Sequence, residues 1–101
     1  MTKPVSVSIK TSPKKGKKLV AEFKNKDGKV IKTTHFGAKG MEDFTTHKDK
    51  ERRKRYRNRH RKDLDTKDFT RAGYLSYYVL WGDSSNLQTA IKDYKKRFKL
   101  K

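Results

Sequence analysis

The stretch Lys18-Leu-Val-Ala-Glu-Phe-Lys-Asn-Lys-Asp-Gly-Lys-Val-Ile-Lys-Thr-Thr-His-Phe36 decides the architecture. Two runs rich in β-branched and aromatic residues, Lys18 to Lys24 and Lys29 to Phe36, flank Asn25-Lys26-Asp27-Gly28, the composition of an antiparallel hairpin. Two turn registers compete. A two-residue Asp-Gly loop pairs Phe23 with Lys32. A three-residue loop, with Gly28 left-handed in a G1 bulge, pairs Phe23 with Ile31 and Glu22 with Lys32. The second is expected, because it gathers Leu19, Ala21, Phe23, Ile31 and Thr33 on one face.

Upstream, Val5-Ser-Val-Ser-Ile9 alternates with period two and adds a strand, joined through a loop from Thr11 to Lys17. Residues 1–36 therefore predict a three-stranded antiparallel sheet. Residues 37–46 form a loop containing Gly37 and Gly40. A basic helix is expected over 47–64, where Thr46-x-x-Asp49 resembles a capping box with Asp in place of Glu. Asp49–Arg53 and Glu51–Arg55 are favourable i,i+4 pairs, whereas Lys50–Lys54, Arg53–Arg57, Arg55–Arg59 and Arg57–Arg61 each repel by about 0.2–0.5 kcal/mol. Tyr56 is the only aromatic carbocycle in the run and is expected, with His60, to anchor the helix.

After an acidic connector from Asp63 to Asp68, residues 70–81 are apolar nearly all round, as in a central helix. Gly82 is the expected stop. Ser85-x-x-Gln88 opens an amphipathic helix over 85–98, with Leu87, Ile91, Tyr94 and Phe98 on one face. Residues 99–101 are a tail. The expected fold is one small α+β domain: a three-stranded antiparallel sheet followed by three helices, the middle one central to the core.

Composition points to the partner. The chain carries 29 Lys and Arg against 11 Asp and Glu, a formal net charge of +18, and only 31% hydrophobic residues. Such an excess opposes compaction and favours polyanions. There is no cysteine, hence no disulfide framework. No signal-peptide core follows Met1 and no apolar run approaches membrane-spanning length, so membrane insertion is not expected and an intracellular protein is.

The charge is concentrated. Lys48 to Lys62 holds ten Lys or Arg in fifteen residues, six of them Arg. The candidate polyanion-binding residues are Lys48, Lys50, Arg52, Arg53, Lys54, Arg55, Arg57, Arg59, Arg61 and Lys62, joined by Lys95, Lys96 and Arg97 from the C-terminal cluster. Arg favours bidentate phosphate or carboxylate contacts. The blander readings are a solvated charged face or a nuclear-localisation signal. A third cluster, Lys14, Lys15, Lys17 and Lys18, lies between the first two strands. No base-reading signature is present. His35, His47 and His60 lack helical ligand spacing, and packing, helix-start hydrogen bonding and a place beside Tyr56 are expected of them instead. Tyr74, Tyr77, Tyr78 and Trp81 have the spacing of core residues more than of base-stacking ones. Asp43 near His47 is the only local acid–base pair, and it reads more simply as a carboxylate near a helix start. A non-enzymatic protein without cofactors is expected.

From His35-Phe36-Gly37-Ala38-Lys39-Gly40-Met41-Glu42-Asp43-Phe44-Thr45 through His47-Lys48-Asp49 to Arg52, Tyr56 and Arg59-His60, the chain resembles the small basic proteins of nucleocytoplasmic large DNA viruses, including algal and amoebal giant viruses. Ala72-Gly73, Leu80-Trp81, Ile91-Lys92-Asp93 and Lys96-Arg97-Phe98 extend the likeness, which spans about two thirds of the chain. The resemblance implies a viral protein incorporated into the virion, present in host cytoplasm or nucleus during infection, and supplies no activity. It implies that Gly37, Gly40, Asp43, His47, Asp49, Tyr56, Arg59 and His60 form one structural unit joining sheet to helix. The expectation is a virion protein that binds nucleic acid, DNA first, through phosphates and helps condense or package the genome. The alternative is a minor capsid or cement protein whose basic helix meets acidic coat-protein surfaces.

Overall fold

A computed structural model of the chain describes residues 4–101. Strands β1 (Ser6–Thr11), β2 (Lys17–Lys24) and β3 (Val30–Ala38) form an antiparallel meander in the order β1-β2-β3. Helix α1 (Phe44–His47) and helix α2 (Lys50–His60) follow, α2 tightening into a 3₁₀ segment over Arg61–Thr66. Helix α3 (Ala72–Leu75) widens into a π-helical turn over Ser76–Leu80, and α4 (Leu87–Arg97) completes the chain. The α+β architecture, sheet first and helices after, is the one the sequence predicts. Among the described residues there are four helices rather than three, because the expected loop over 37–46 holds the end of β3 and the start of α1.

The hairpin turn forms as read: Gly28 has φ +81° and the Asn25 N–H donates to the Lys29 carbonyl at 2.9 Å. The register beyond it differs. Phe23 pairs with Lys32, Ala21 with Thr34 and Leu19 with Phe36, while Lys24 pairs with Val30, so Ile31 is an extra residue in β3 at a bulge. Without the bulge, Ile31, Thr33 and His35 would face the core and Phe36 would face water. With it, Phe36 is fully buried and Val30 and Ile31 are left 41% and 38% exposed. Burying an aromatic ring outweighs leaving two aliphatic side chains part-exposed at the hairpin end.

The inner face of the sheet contributes Val7, Leu19, Ala21, Phe23 and Phe36 to a core closed by Leu75, Val79, Leu80, Ile91, Tyr94 and Leu100. The segment expected to be central is central: Leu75 and Val79 are wholly buried. Its second half is a π-turn, with the Trp81 N–H donating to the Ser76 carbonyl at 3.0 Å. Gly82 follows because nothing larger fits, since a Cβ there would lie 2.1 Å from the Tyr78 carbonyl oxygen. Helix α4 starts at Leu87, later than expected, because Asn86 and not Ser85 is the cap, accepting from the Thr89 N–H at 3.0 Å.

Residues 99–101 are not a free tail. Leu100 is buried, and the Lys101 backbone makes two hydrogen bonds at the start of β1, donating to the Val5 carbonyl just before the strand and accepting from the Val7 N–H within it, both at 3.0 Å. Among the described residues, no helix is long and apolar enough to cross a membrane.

Candidate nucleic-acid interface

The basic run does not start where the sequence suggests. Asp43, buried, is the cap of α1: its carboxylate accepts from the Thr45 N–H at 2.8 Å, and its own N–H donates to Thr46 Oγ1 at 3.0 Å. Lys48 then takes a left-handed conformation, φ 57°, which ends that turn. Asp49 begins α2, accepting from the N–H groups of Glu51 and Arg52 at 3.0 and 3.3 Å. Two acidic caps six residues apart thus split the helix expected over 47–64. Its far end also tightens, at Arg61. His47 performs the expected helix-start role, its Nδ1 accepting from the Asp49 N–H at 2.8 Å.

Helix α2 has no fully buried residue. It is held by a polar docking face in which Arg53, Tyr56, Arg57 and His60 are half-buried. Their i, i+3, i+4, i+7 spacing is that of a helix stripe, here with cations in place of aliphatic residues. The Tyr56 ring is sandwiched between the indole of Trp81, centroids 4.3 Å apart, and the imidazole of His60, 4.2 Å away. Trp81 in turn meets His47 at 5.2 Å. The Arg53 guanidinium lies 4.6 Å over the Phe44 ring and donates to the carbonyls of Gly82 and Asp83. That of Arg57 lies 5.3 Å over Tyr77 and pairs with Asp83 at 3.1 Å. The expected Asp49–Arg53 and Glu51–Arg55 pairs do not form among the described residues: Asp49 is spent on backbone and Arg53 is turned inward. Arg53 and Arg57 therefore leave the outward binding set and belong to the fold.

The outward set is Lys48, Lys50, Arg52, Lys54, Arg55, Arg59, Arg61 and Lys62, all exposed. Arg52, Arg55 and Arg59 line a cleft of about 570 Å³ between α2 and the outer ends of β2 and β3. Lys17 and Lys18 stand in the same cleft. The sequence reading set these two lysines apart in the strand loop and did not place them in the site. The pairing of Lys17 with Ala38 brings them there, since β3 leads straight into α1 and α2. Lys18 pairs with Asp43 and Arg52 with Glu42, the latter at 2.7 Å. Of the C-terminal cluster, Lys96 and Arg97 are exposed and Lys95 is half-buried. Arg97 lies 4.5 Å over Tyr78 and shares a small recess with Arg57, so this cluster borders the docked side of α2, not the cleft.

The histidines are apart. His35 Nδ1 is 2.7 Å from Ser12 Oγ, and His60 Nδ1 is 3.1 Å from Asp63 Oδ2. Among the described residues no cluster of three or more His, Asp or Glu gathers that could hold a metal ion. Tyr74 and Tyr77 are buried and Tyr78 and Trp81 half-buried. The motif residues Asp43, His47, Asp49, Tyr56 and His60 together form the joint between sheet and α2. Gly37 belongs to it through a φ of +79°, with the Leu80 methyl 2.8 Å from where a Cβ would stand. Gly40 also has positive φ and turns the chain toward α1.

Comparison with known proteins finds one family. The model of a family of unknown function, DUF5754, matches residues 7–60, from the second residue of β1 to the last residue of α2. No curated protein and no solved structure matches the chain. The match takes in just over half the sequence, with all three core-facing strands, both acidic caps and the whole Tyr56 docking face, and the chain belongs to the DUF5754 family.

Proposed function

We propose that this protein is a non-enzymatic nucleic-acid-binding protein that grips phosphates without sequence preference, and that it serves in the virion to condense or package a genome. The observation that carries this reading is the division of labour along α2. Arg53 and Arg57 are committed to the fold, while Lys50, Lys54, Arg55, Arg59, Arg61 and Lys62 project outward with no ion-pair partner among the described residues. Unpaired cations at that density repel one another and stabilise nothing internally. A phosphate backbone is the partner that relieves them, by releasing its own counterions. The aromatic arrangement supports phosphate contact over base stacking, since Tyr56 is stacked on both Trp81 and His60 and Trp81 has Tyr56 on one face and His47 against it. The viral setting rests on the sequence resemblance described above.

The test is binding to random-sequence duplex DNA as a function of salt. Six phosphate contacts predict a fall in affinity of about three orders of magnitude between 50 and 200 mM. No retention at low salt defeats the proposal. A shallow slope, with the protein in the shell fraction of disrupted virions, favours docking on acidic coat-protein surfaces instead.

A further inference from the structure

The cleft beside α2 differs from the rest of the basic surface in being concave. Five cations line it, Lys17, Lys18, Arg52, Arg55 and Arg59, against three carboxylates, Glu42, Asp43 and Asp63. Each carboxylate already has a partner: Glu42 has Arg52, Asp43 has Lys18 and Asp63 has His60. Lys17, Arg55 and Arg59 are left over, one on the sheet wall and two on the helix wall, with no ion pair among the described residues. The floor between them is apolar, with Phe36, Leu80 and Trp81, and Ser76 also borders it. Folding alone gives no reason for this arrangement. Arg55 and Arg59 are an i,i+4 like-charge pair, and a third cation faces them across a surface of reduced dielectric.

We infer that the cleft seats a phosphomonoester, in the first instance the terminal phosphate of a nucleic-acid strand. The choice of phosphate rests on the nucleic-acid reading above. A duplex is far too broad to enter a space of this size, so its internal phosphodiesters meet only the rim and the outward row of α2. A chain end or a small molecule can reach the floor. There a phosphomonoester carries close to two charges, against one for an internal diester. With His60 neutral, the five Lys and Arg exceed the three carboxylates of the cleft by two, which matches that dianion. The guanidinium groups of Arg55 and Arg59 supply paired N–H donors of the kind that bind phosphate oxygens in parallel, and Lys17 supplies a point charge opposite. The protein is thereby a reader of strand ends as well as a coat on the backbone. A free mononucleotide has the same chemistry and is separated from a strand end by experiment.

The experiment uses the whole chain and three probes: a nucleoside 5′-monophosphate, the parent nucleoside, and a short duplex bearing either 5′-phosphate or 5′-hydroxyl ends. Binding is followed by chemical-shift changes at Ser76 and the Trp81 indole. The expected result is binding of the monophosphate but not the nucleoside, and about tenfold tighter binding of the phosphorylated duplex than of the hydroxyl one. Arg55→Gln with Arg59→Gln abolishes both effects, and Lys17→Gln, on the opposite wall and outside α2, weakens both. Equal affinity for the two duplexes, with no response to the monophosphate, overturns the inference while leaving backbone binding intact. A response to the monophosphate and no duplex binding defeats the nucleic-acid reading and keeps the cleft as a mononucleotide site. Monophosphate binding that survives all three substitutions also overturns it.

Discussion

The phenol ring of Tyr56 lies on the indole of Trp81 with 4.3 Å between centroids and 8° between planes. This is the chief apolar contact by which α2, a helix with no fully buried residue, is fixed to the rest of the molecule. Tyr56→Ala should therefore destabilise the protein by about 2 kcal/mol, less than a fully buried ring would cost, and should release α2 before the core melts. Urea unfolding gives the first figure, and hydrogen exchange along residues 50–60 gives the second. Tyr56→Phe should lose much less.

The two kinds of arginine in α2 should separate cleanly. Arg53→Gln and Arg57→Gln should lower thermal stability, because each removes a cation over an aromatic ring and a partner of the Gly82–Asp83 turn. Arg55→Gln and Arg59→Gln should leave stability unchanged or raise it slightly by removing repulsion. Affinity for DNA should follow the opposite order. Equal effects of the two pairs on both measurements would contradict the division between docked and outward residues.

Asp43 is buried, caps α1 and pairs with Lys18. Asp43→Ala should cost about 2–3 kcal/mol, combining a lost cap with a cation left short of its counter-charge. Lys18→Gln should cost less, Lys18 being the more exposed partner. The double variant should be less destabilised than the sum, as a denaturation cycle would show.

Gly82→Ala should be among the most destabilising single changes, at least about 2 kcal/mol, because the clash is with the Tyr78 carbonyl and backbone cannot step aside. Gly28→Ala meets open space and pays only for its positive φ, about 1 kcal/mol. Melting temperatures of the two variants compare them directly.

Acid and alkali should act at different places. The Arg52 N–H bond first, with help from the Glu51 N–H and the nearby His47 and Arg55, holds the Asp49 carboxyl below its usual value of 3.8. The Thr70 hydroxyl does the same for Asp68, aided by the Thr70 N–H, Lys32 and Arg71. Folded pKa values below the unfolded ones mean that this stabilisation is present above the unfolded value and lost as pH falls through the folded one. Circular dichroism below pH 3.8 should show α2 fraying, with Asp49→Ala already frayed at neutral pH. In alkali the sign reverses. Burial, with Asp63 nearby, pushes the Tyr56 phenol up, and burial with Asp68 pushes Tyr94 up. Their contribution is present below about pH 10 and is lost as the unfolded phenols ionise above it. Tyrosine absorbance should accordingly rise in a late step that coincides with loss of tertiary structure.

How much of this was legible in the sequence depends on whether a residue's partner was local. Period-two alternation located the strands, and continuous apolarity located Leu75 to Leu80, because those patterns are their own evidence. Gly28 announced its turn. The bulge at Ile31 was invisible, since only the helical layer decides whether Phe36 or His35 faces inward. The split between α1 and α2 was hidden because Thr46 and Asp49 imitate one cap, while Lys18, the partner of the buried Asp43, lies 25 residues away. Arg53 and Arg57 were indistinguishable from Arg55 and Arg59 in a run of uniform charge. Only the position of Tyr56, read as a helical stripe, hinted which arginines would turn in. Lys17 and Lys18 joined the cleft through strand pairing, which composition does not encode.

The two hydrogen bonds between Lys101 and the strand that contains Val7 tie opposite ends of the described chain into one ladder. Contacts between residues so far apart in sequence carry a large loop-closure cost and slow folding. Until residues 91–101 arrive, the edge of β1 is unpaired and Val7 lacks its cover from α4. The integrity of the sheet edge thus depends on residues at the far end of the sequence, and a change near Leu100 or Lys101 is felt at β1.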